Sequence, residues 1–402
     1  MTTQPLVSRA ANLSRRTLLG SGLAVAASRS GAAAVRSAAP SSPTLAALFP
    51  DQGAEALAGD EAWRGVTLAI ADANRGRKQP IRLIRADATD PARTIATLAK
   101  ADPPAAFIGT SSSTLSFVAT AAAELANIPY IELDAPADAI TTRGFKMLVR
   151  TGLTSAALAA TTTTAIAGQI APSWRKAAGE LRIALLFDDG ATNGAFAAAM
   201  LDLARQTKLP VVLTLGYATN TMDLASEIGR MQRAKIDLLI HAGRTEHVLL
   251  AYAAMATAGW RPRMIIGAGG GYAMSGLGFA LGRAIENTMV VDTPLYDVSG
   301  PAAAIARAYR ARYAAPPRSS ASLTAYVGAQ LVSGALGQDK PFRAALLATD
   351  RPRGALANGW GCAFNGQGQN RASFATLQQW RGGRLITIDP TIAGAAHPIT
   401  SL

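Results

Sequence analysis

Short apolar runs alternate with Ala- and Leu-rich segments of helical length along most of this 402-residue chain. Buried strands and helices that begin at a capping residue and end at Gly or Asn have these patterns. The sequence predicts strands at 44–48, 81–86, 105–109, 129–133, 181–187, 211–215, 237–241 and 264–267. Predicted helices include 61–74, 114–127, 193–206 and 244–258. Because such alternation produces parallel sheets with helices on both faces, we expect two doubly wound α/β lobes, divided near residues 150–154.

In such sheets a ligand binds outside the carboxyl ends of the strands. Residues 109–114 (Gly-Thr-Ser-Ser-Ser-Thr) follow one predicted strand and open a predicted helix. Helix N-terminal N–H groups and hydroxyls together favour a carboxylate or another strongly polar group. One serine would suffice as a helix cap. Since Ser111, Ser112 and Ser113 exceed that need, we favour a ligand-binding role for them.

Three loops of the second series also belong to the expected site. Residues 267–272 (Gly-Ala-Gly-Gly-Gly-Tyr) do not match the dinucleotide motif, because Tyr272 stands in place of its third glycine. We interpret this loop as backbone close to a ligand, with Tyr272 as a wall. Asp189, Asn193 and Arg244 follow neighbouring strands and are further candidates, although each is also the kind of residue that occupies solvated loops.

Other classes of function find little support in the residues. The net charge is +13, but the first 39 residues contain five arginines and no acid, and the remaining basic residues form no run with interleaved aromatics. We therefore expect no nucleic-acid binding. Three histidines and one cysteine, Cys362, argue against a His/Cys metal cluster. With no nucleophile-elbow motif or recognisable triad, we predict neither an enzyme nor a cofactor.

The N-terminus has the features of an export signal. Arg15 and Arg16 precede a short apolar stretch at 18–27, which is well below the length of a membrane span. Small residues at 32–34 and 37–39 offer cleavage sites. Residues 1–39 are therefore predicted to be a twin-arginine signal peptide with a short linker, and the alternative is a disordered basic tail.

From about residue 44 to residue 390 the chain resembles the type I periplasmic binding proteins of the leucine/isoleucine/valine-binding kind. The resemblance depends on the order and spacing of many short pieces rather than on one motif. These pieces are Gly59-Asp60, Gly65, 69–74, Asp87, Asp90-Pro91, 111–114, 141–145, Arg150-Thr151, 251–259, 309–313, Ala325-Tyr326 and 364–368.

The resemblance implies a two-lobed Venus-flytrap clamp whose chain crosses between the lobes three times to form a hinge. The first lobe would comprise residues 44–154 and 290–353, the second 155–289 and 354–390, with a C-terminal tail at 391–402. A monomer in the periplasm would bind an amino acid or a related small carboxylate or amide and deliver it to the permease of an ABC importer. The alternative function is a sensory module that uses the same clamp to signal to a protein partner.

The resemblance carries over only part of the family's binding site. The carboxylate-binding serine matches Ser111, with Ser112 beside it, and a backbone contact matches Ala135. The other positions have changed: Pro136 replaces a threonine, Thr154 and Gly269 replace the two acids that bind the α-ammonium, and Ala58, Asn193 and Arg244 replace aromatic residues.

Two interpretations of the missing ammonium site are open. Either Asp134, Glu132 or Asp189 replaces the family's acids, or the ligand lacks the amine. The second is favoured by the resemblance alone, with the far end of the ligand in contact with Arg244, Asn193 and Tyr272.

Overall fold

A computed structural model describes residues 42–402 of the protein. The paired-arginine motif and the rest of the predicted signal peptide and linker at 1–39 lie outside this range. Within it, none of the helices has both the length and the apolar character that crossing a membrane requires.

Strands and helices alternate along most of the described range. The strands are β1 (Thr44–Leu48), β2 (Arg82–Ala86), β3 (Ala106–Gly109), β4 (Tyr130–Glu132), β5 (Leu148–Arg150), β6 (Ile183–Asp188), β7 (Val211–Tyr217), β8 (Leu238–Ala242), β9 (Met264–Ala268), β10 (Met289–Asp292), β11 (Asp350–Arg351), β12 (Cys362–Ala363), β13 (Thr376–Arg381) and β14 (Arg384–Thr387). The helices are α1 (Ala56–Asn74), α2 (Pro91–Ala101), α3 (Ser113–Leu125), α4 (Ala139–Thr142), α5 (Ser155–Ala165), α6 (Ala171–Ser173), α7 (Ala191–Thr207), α8 (Ala225–Arg233), α9 (Thr245–Thr257), α10 (Gly276–Leu281), α11 (Gly300–Tyr313), α12 (Ala321–Ala335) and α13 (Phe342–Leu347). All eight predicted strands and all four predicted helices are confirmed, with ends that differ by a few residues.

The first lobe is built on a parallel sheet with the strand order β2-β1-β3-β4-β5. Every residue of β1 is buried, because alternate side chains enter hydrophobic clusters on opposite faces of the sheet. Leu45 and Ala47 pack with α1 and α12, and Ala46 and Leu48 pack with the α2–α3 face. This two-sided burial is why the strand is an uninterrupted apolar run.

Close packing of α1 against α12 depends on Gly65, one of the positions on which the family resemblance rests. A Cβ added at Gly65 would lie 2.0 Å from the carbonyl oxygen of Ser322. Only a residue without a side chain allows the two helices to approach this closely. The contact fixes the start of α12, which forms one wall of the site described below.

The second lobe is built on a seven-stranded sheet with the order β14-β13-β10-β9-β8-β6-β7. Strands β6 to β10 are parallel, but β13 and β14 are antiparallel and form one edge. The prediction of a purely parallel sheet was therefore incomplete for this lobe. The edge comes from a C-terminal hairpin that turns at Gly382 and Gly383, both of which have positive φ.

The pairing of β10 shifts the predicted boundary at residue 290, where the chain was expected to return to the first lobe, to a position after Asp292. The sequence analysis assigned residues 290–353 to the first lobe, but β10 is hydrogen-bonded between β9 and β13 of the second sheet. The chain leaves the second lobe only after Asp292. Residues 391–402 also belong to this lobe, because the Leu402 N–H donates to the Arg263 carbonyl (3.1 Å) and the Trp174 indole donates to the Thr400 carbonyl (2.6 Å).

Three passages connect the lobes. The first joins β5 to α5, the second leaves β10 for α11, and the third returns through residues 348–375 to β13. The first and third passages are hydrogen-bonded to each other: the Arg150 N–H donates to the Gly368 carbonyl (2.8 Å), and the Asn370 side chain donates to the Thr151 carbonyl (3.1 Å).

Candidate functional site

A cavity of about 670 Å³ lies between the two lobes. Its walls are the loops that follow β1, β3 and β4 on one side and β6, β7, β8 and β9 on the other, with the end of β10 at the second passage. The start of α12 lines the cavity as well. These are the carboxyl ends of the parallel strands, where the sequence analysis placed the site. The volume suits a small organic molecule.

Six of the predicted site residues line this cavity, and five do not. The six are Ser111, Ser112, Pro136, Asn193, Arg244 and Gly269, and Ala58 lines the cavity with them. The five outside are Ser113, Ala135, Thr154, Asp189 and Tyr272. Each of the five has an internal structural role that accounts for its position.

Three of these residues have their polar groups engaged by neighbouring backbone or side chains. The Ser113 hydroxyl accepts the Ala137 N–H (3.2 Å), and the Thr154 hydroxyl caps α5 by accepting the Ala157 N–H (3.1 Å). The Ala135 N–H donates to Glu132 Oε1 (2.9 Å), and its carbonyl accepts from Arg150 Nη1 (3.1 Å). The predicted ligand contacts at these positions are therefore replaced by internal hydrogen bonds.

The side chains of the two remaining predicted residues, Asp189 and Tyr272, do not face the cavity. Asp189 turns away from the cavity and accepts the Thr219 N–H (2.9 Å), while its neighbour Asp188 lines it. Tyr272 is fully buried within the second lobe, where its hydroxyl is 2.7 Å from His241 Nδ1. Its ring fills the space left by Gly267, since a Cβ there would lie 2.1 Å from the ring. Tyr272 is thus core, and the prediction that it forms a cleft wall was wrong.

Glu132 organises the wall that the first lobe contributes. It is the last residue of β4, is fully buried, and accepts hydrogen bonds from six donors. The donors are the N–H groups of Thr110, Ser111, Leu133, Asp134 and Ala135, at 2.9 to 3.3 Å, and the Ser116 hydroxyl. Burial raises the pKa of this carboxyl, and the hydrogen bonds limit the rise.

This arrangement changes the expected anion site at residues 109–114. The N–H groups of Ser111 and Ala135 donate to the internal carboxylate of Glu132, so neither is directed at the cavity. The Ser112 N–H donates to the Thr110 hydroxyl (3.2 Å), and the Ser113 N–H donates to Thr192 of the second lobe (3.2 Å). The Ser111 hydroxyl, by contrast, is buried and has no hydrogen-bond partner within the described range.

Two acids of the cavity wall have raised pKa values. Asp134 follows β4, and Asp292 is the last residue of β10. Burial, together with the nearby carboxylates of Asp292 and Glu132, raises the pKa of Asp134 to about 8. Burial also raises the pKa of Asp292 to about 6, although the Thr293 N–H and the Ser320 hydroxyl limit the rise. Like charges in a poorly hydrated site disfavour each other's ionised form.

The other charged groups that the second lobe contributes to the cavity are compensated by contacts within that lobe. Asp188 Oδ2 is 2.7 Å from the Asn193 amide and 3.2 Å from His247 Nδ1. Although burial opposes it, these contacts and the Gly190 N–H lower the pKa of Asp188. Arg244 Nε lies 2.8 Å from Glu246 Oε1, and its guanidinium also donates to the Thr219 carbonyl. Arg244, predicted to contact the ligand, lines the cavity as an ion-paired residue.

Sequence reasoning named Asp134 only as one possible replacement for the family's acids, chose Asp189 rather than its neighbour Asp188, and missed Asp292. A usable signal was present, because β6 reads Ile-Ala-Leu-Leu-Phe-Asp and β10 reads Met-Val-Val-Asp. An acid that closes a buried apolar run lies at the carboxyl end of a strand, where the cavity forms. β10 was not among the predicted strands, so this signal was not applied to it.

The lobes touch beside the cavity. Besides the hydrogen bond from Ser113 to Thr192, Ala195 of α7 packs against the first-lobe cluster that contains Phe107. The N-terminal turns of α3 and α7 therefore meet across the gap.

Comparisons with known proteins agree with this geometry. A family model described as "Periplasmic binding protein" matches residues 42–378. The Leu/Ile/Val-binding protein homolog 8 of Brucella abortus (strain 2308) is 32% identical over 400 residues, which cover 95% of this chain and 98% of the relative. Homolog 7 of Brucella suis biovar 1 (strain 1330) is 32% identical over 386 residues, covering 91% and 96%.

Solved structures with the same fold contain different bound solutes. The substrate-binding protein LivJ of a branched-chain amino acid transporter from Streptococcus pneumoniae, in complex with isoleucine, has a TM-score of 0.74 at 19% identity, covering 86% of this chain and 97% of its own. An ABC transporter solute-binding protein from R. palustris, in complex with benzoate, has a TM-score of 0.74 at 19% identity, covering 89% and 98%. At these identities the likeness shows the fold.

Proposed function

The chain belongs to the periplasmic binding protein family, and from this premise we propose that it is the extracytoplasmic solute-binding component of an ABC importer. It binds a small polar organic molecule, an amino acid or a related carboxylate or amide, and delivers it to the permease. The observation that carries the proposal is the cavity of about 670 Å³ between the lobes, walled by polar loops at the carboxyl ends of both sheets. We infer no catalytic role for any residue of this cavity.

The mechanism follows from the two-lobed build. A solute that contacts both walls stabilises the closed arrangement, in which the N-terminal turns of α3 and α7 meet. The three passages act as the hinge, since they are the only covalent connections between the lobes within residues 42–402. The closed form then presents a combined surface of both lobes to the permease, which distinguishes loaded from empty protein.

The class of solute is supported by several observations together. The relatives are named for leucine, isoleucine and valine, and the solved neighbours hold isoleucine or benzoate. In this chain, the positions that the resemblance assigns to the α-ammonium are Thr154 and Gly269, and neither can supply a carboxylate. The solute is therefore recognised by different groups from those that the resemblance implies.

Location and assembly complete the proposal. The paired arginines and short apolar stretch at 15–27 support export by the twin-arginine route to the periplasm. The protein acts there as a monomer, with membrane-embedded permease subunits as its partner.

A thermal-shift screen tests this function. The purified protein is heated with amino acids, amides, amines and carboxylates, one at a time. A solute at about 100 times its dissociation constant should add about 2.7 kcal/mol to the free energy of unfolding, which is a readily measured rise in melting temperature.

A matched pair of variants separates cleft binding from binding elsewhere. Gly270 lines the cavity, and a side chain added there meets open space, so Gly270→Trp should fill the cleft without clashing with the backbone. Gly179→Trp adds the same ring to an exposed turn. We expect the shift to disappear in Gly270→Trp and to persist in Gly179→Trp. Persistence in both variants would contradict a ligand in the interlobe cleft.

A further inference from the structure

We propose that the solute of this cleft carries a protonated nitrogen, an amine or a guanidinium, and that Asp134 and Asp292 bind it together. This inference rests on the proposed function and assigns its substrate class. It selects the first of the two interpretations that the sequence left open, with Asp134 as the replacing acid and Asp292 as a partner that the sequence did not indicate.

The position of the two acids suits a group that both lobes must contact. Asp134 belongs to the first lobe and Asp292 to the second, and both line the cavity beside a passage between the lobes. Asp292 is only 8% exposed. A cation held by both carboxylates would join the two lobes across the cleft.

Among the acids of the cavity, Asp134 and Asp292 are the two whose charge the described residues do not compensate. Asp188 contacts His247, and Glu246 is paired with Arg244. Glu55 is the N-cap of α1, where the helix dipole favours a negative charge. Within residues 42–402, neither Asp134 nor Asp292 has a Lys, Arg or His nitrogen within ion-pair distance, and Arg244 is the one basic side chain on the cavity wall.

Two neighbouring carboxylates without a cation are costly in a poorly hydrated site. Burial raises the pKa of both groups, and the Asp292 carboxylate adds to the rise at Asp134. A bound cation removes the repulsion and supplies the missing partner. An anionic solute would add to the repulsion. The same pair that is unfavourable in the empty cleft thus discriminates strongly between charge types.

Other groups of the first-lobe wall weaken the case for a carboxylate on the solute. The Ser111 and Ala135 N–H groups donate to Glu132, so they are not available to a ligand anion. The Ser111 hydroxyl is buried without a partner and can donate to or accept from a neutral group. The cleft therefore suits an amine whose other end is an amide, hydroxyl or apolar group.

A charge series on fixed carbon skeletons tests the inference by titration calorimetry at neutral pH. One series is leucine, leucinamide, 3-methylbutylamine and 4-methylpentanoate, and another is phenylalanine, 2-phenylethylamine and 3-phenylpropanoate. Arginine and agmatine give the guanidinium equivalents. For each skeleton that binds, we expect the amine to bind at least as tightly as the amino acid, and the carboxylate at least about 100-fold more weakly.

Isosteric variants identify the residues. Asp134→Asn and Asp292→Asn should each weaken amine binding by at least about 30-fold, because one partner of a desolvated charge pair is lost. Asp202→Asn is the control: it removes the same charge from an exposed position of α7 outside the cavity. Melting curves of the empty variants establish that each is folded.

The outcomes separate the inference from the proposed function. Binding of an amine-free carboxylate that is unchanged or tightened in Asp134→Asn would overturn the inference and leave the transport function standing. Equal amine affinity in the wild type and both cleft variants would also overturn it. Binding of no compound in any charge form would count against the proposed function itself, and the inference would fall with it.

Discussion

Glu132 and Asp134 are two residues apart at the end of β4, but they differ in how many partners the fold supplies to their carboxyl groups. Glu132 is fully buried and accepts hydrogen bonds from six donors. Asp134 faces the cavity, has no ion-pair partner within the described range, and has Asp292 and Glu132 as charged neighbours. The first carboxylate stabilises a loop, and the second is left for a ligand.

The comparison shows why an acid near a cleft cannot be given a role from its position alone. What decides is the number of donors that the fold already supplies to the carboxylate. Glu132 has its hydrogen-bonding capacity filled, so a ligand would have to displace backbone contacts to reach it. Asp134 gains a partner only from outside the fold.

The largest effect on stability is expected at Glu132, to which the fold supplies the most hydrogen-bond donors. In Glu132→Gln, an amide NH₂ would face N–H donors that now point at a carboxylate, leaving several of them without acceptors. We expect a loss of about 3 kcal/mol or more in the free energy of unfolding, measured by urea denaturation. A change below about 1 kcal/mol would break the comparison, because Glu132 would then resemble a solvated acid.

A smaller effect is expected from the pH dependence of the ligand-free protein. The folded-state pKa of Asp134 is about 8, against about 3.9 in an unfolded chain. The folded state therefore holds its proton over a range in which the unfolded state has lost it. The free energy of unfolding should fall as pH rises from about 4 to about 8, by at most about 1.4 kcal/mol per pH unit for one such group.

Asp134→Asn isolates this contribution from its charged neighbours. Asp292, with a pKa of about 6, adds to the slope only in the lower part of the range, and Glu132 has a raised pKa as well. Replacing Asp134 should flatten the profile mainly between about pH 6 and 8. An unchanged profile in this interval would show that Asp134 titrates as an ordinary exposed acid.

A third effect separates a structural residue from a ligand contact. Thr154 stands where the family resemblance implies an ammonium-binding acid, but its hydroxyl caps α5. Thr154→Ala should cost about 1 kcal/mol of stability, as is usual for loss of an N-cap. Solute affinity should stay within about threefold of wild type. Loss of affinity without loss of stability would return Thr154 to the binding site.

The smallest effect is expected at Arg244. Because its guanidinium is paired with Glu246, its charge is already compensated before a solute enters. Arg244→Gln should change solute affinity by less than about threefold, measured by the same calorimetry. A loss comparable to that of Asp134→Asn would mean that the solute, rather than Glu246, is the main partner of Arg244.

Much of the fold could be predicted from the sequence, because strands that are buried on both faces, such as β1 and β9, are uninterrupted apolar runs. The antiparallel edge of β13 and β14 could not be predicted, because β13 (Thr-Leu-Gln-Gln-Trp-Arg) is buried but does not have the apolar pattern of a buried strand. For the site, strand ends identified the loops correctly. Which side chain of a loop faces the cavity was set by local pairing, as with Asp188 in place of Asp189 and with Tyr272 folded back beside His241.

The most direct test of the account is a crystal structure of the protein with the solute that the screen identifies. We expect a protonated nitrogen of that solute within hydrogen-bond distance of both Asp134 and Asp292, with Glu132 still bound to its backbone donors. A solute whose carboxylate lies at the N–H groups of Ser111 and Ala135, with its nitrogen away from both aspartates, would contradict it.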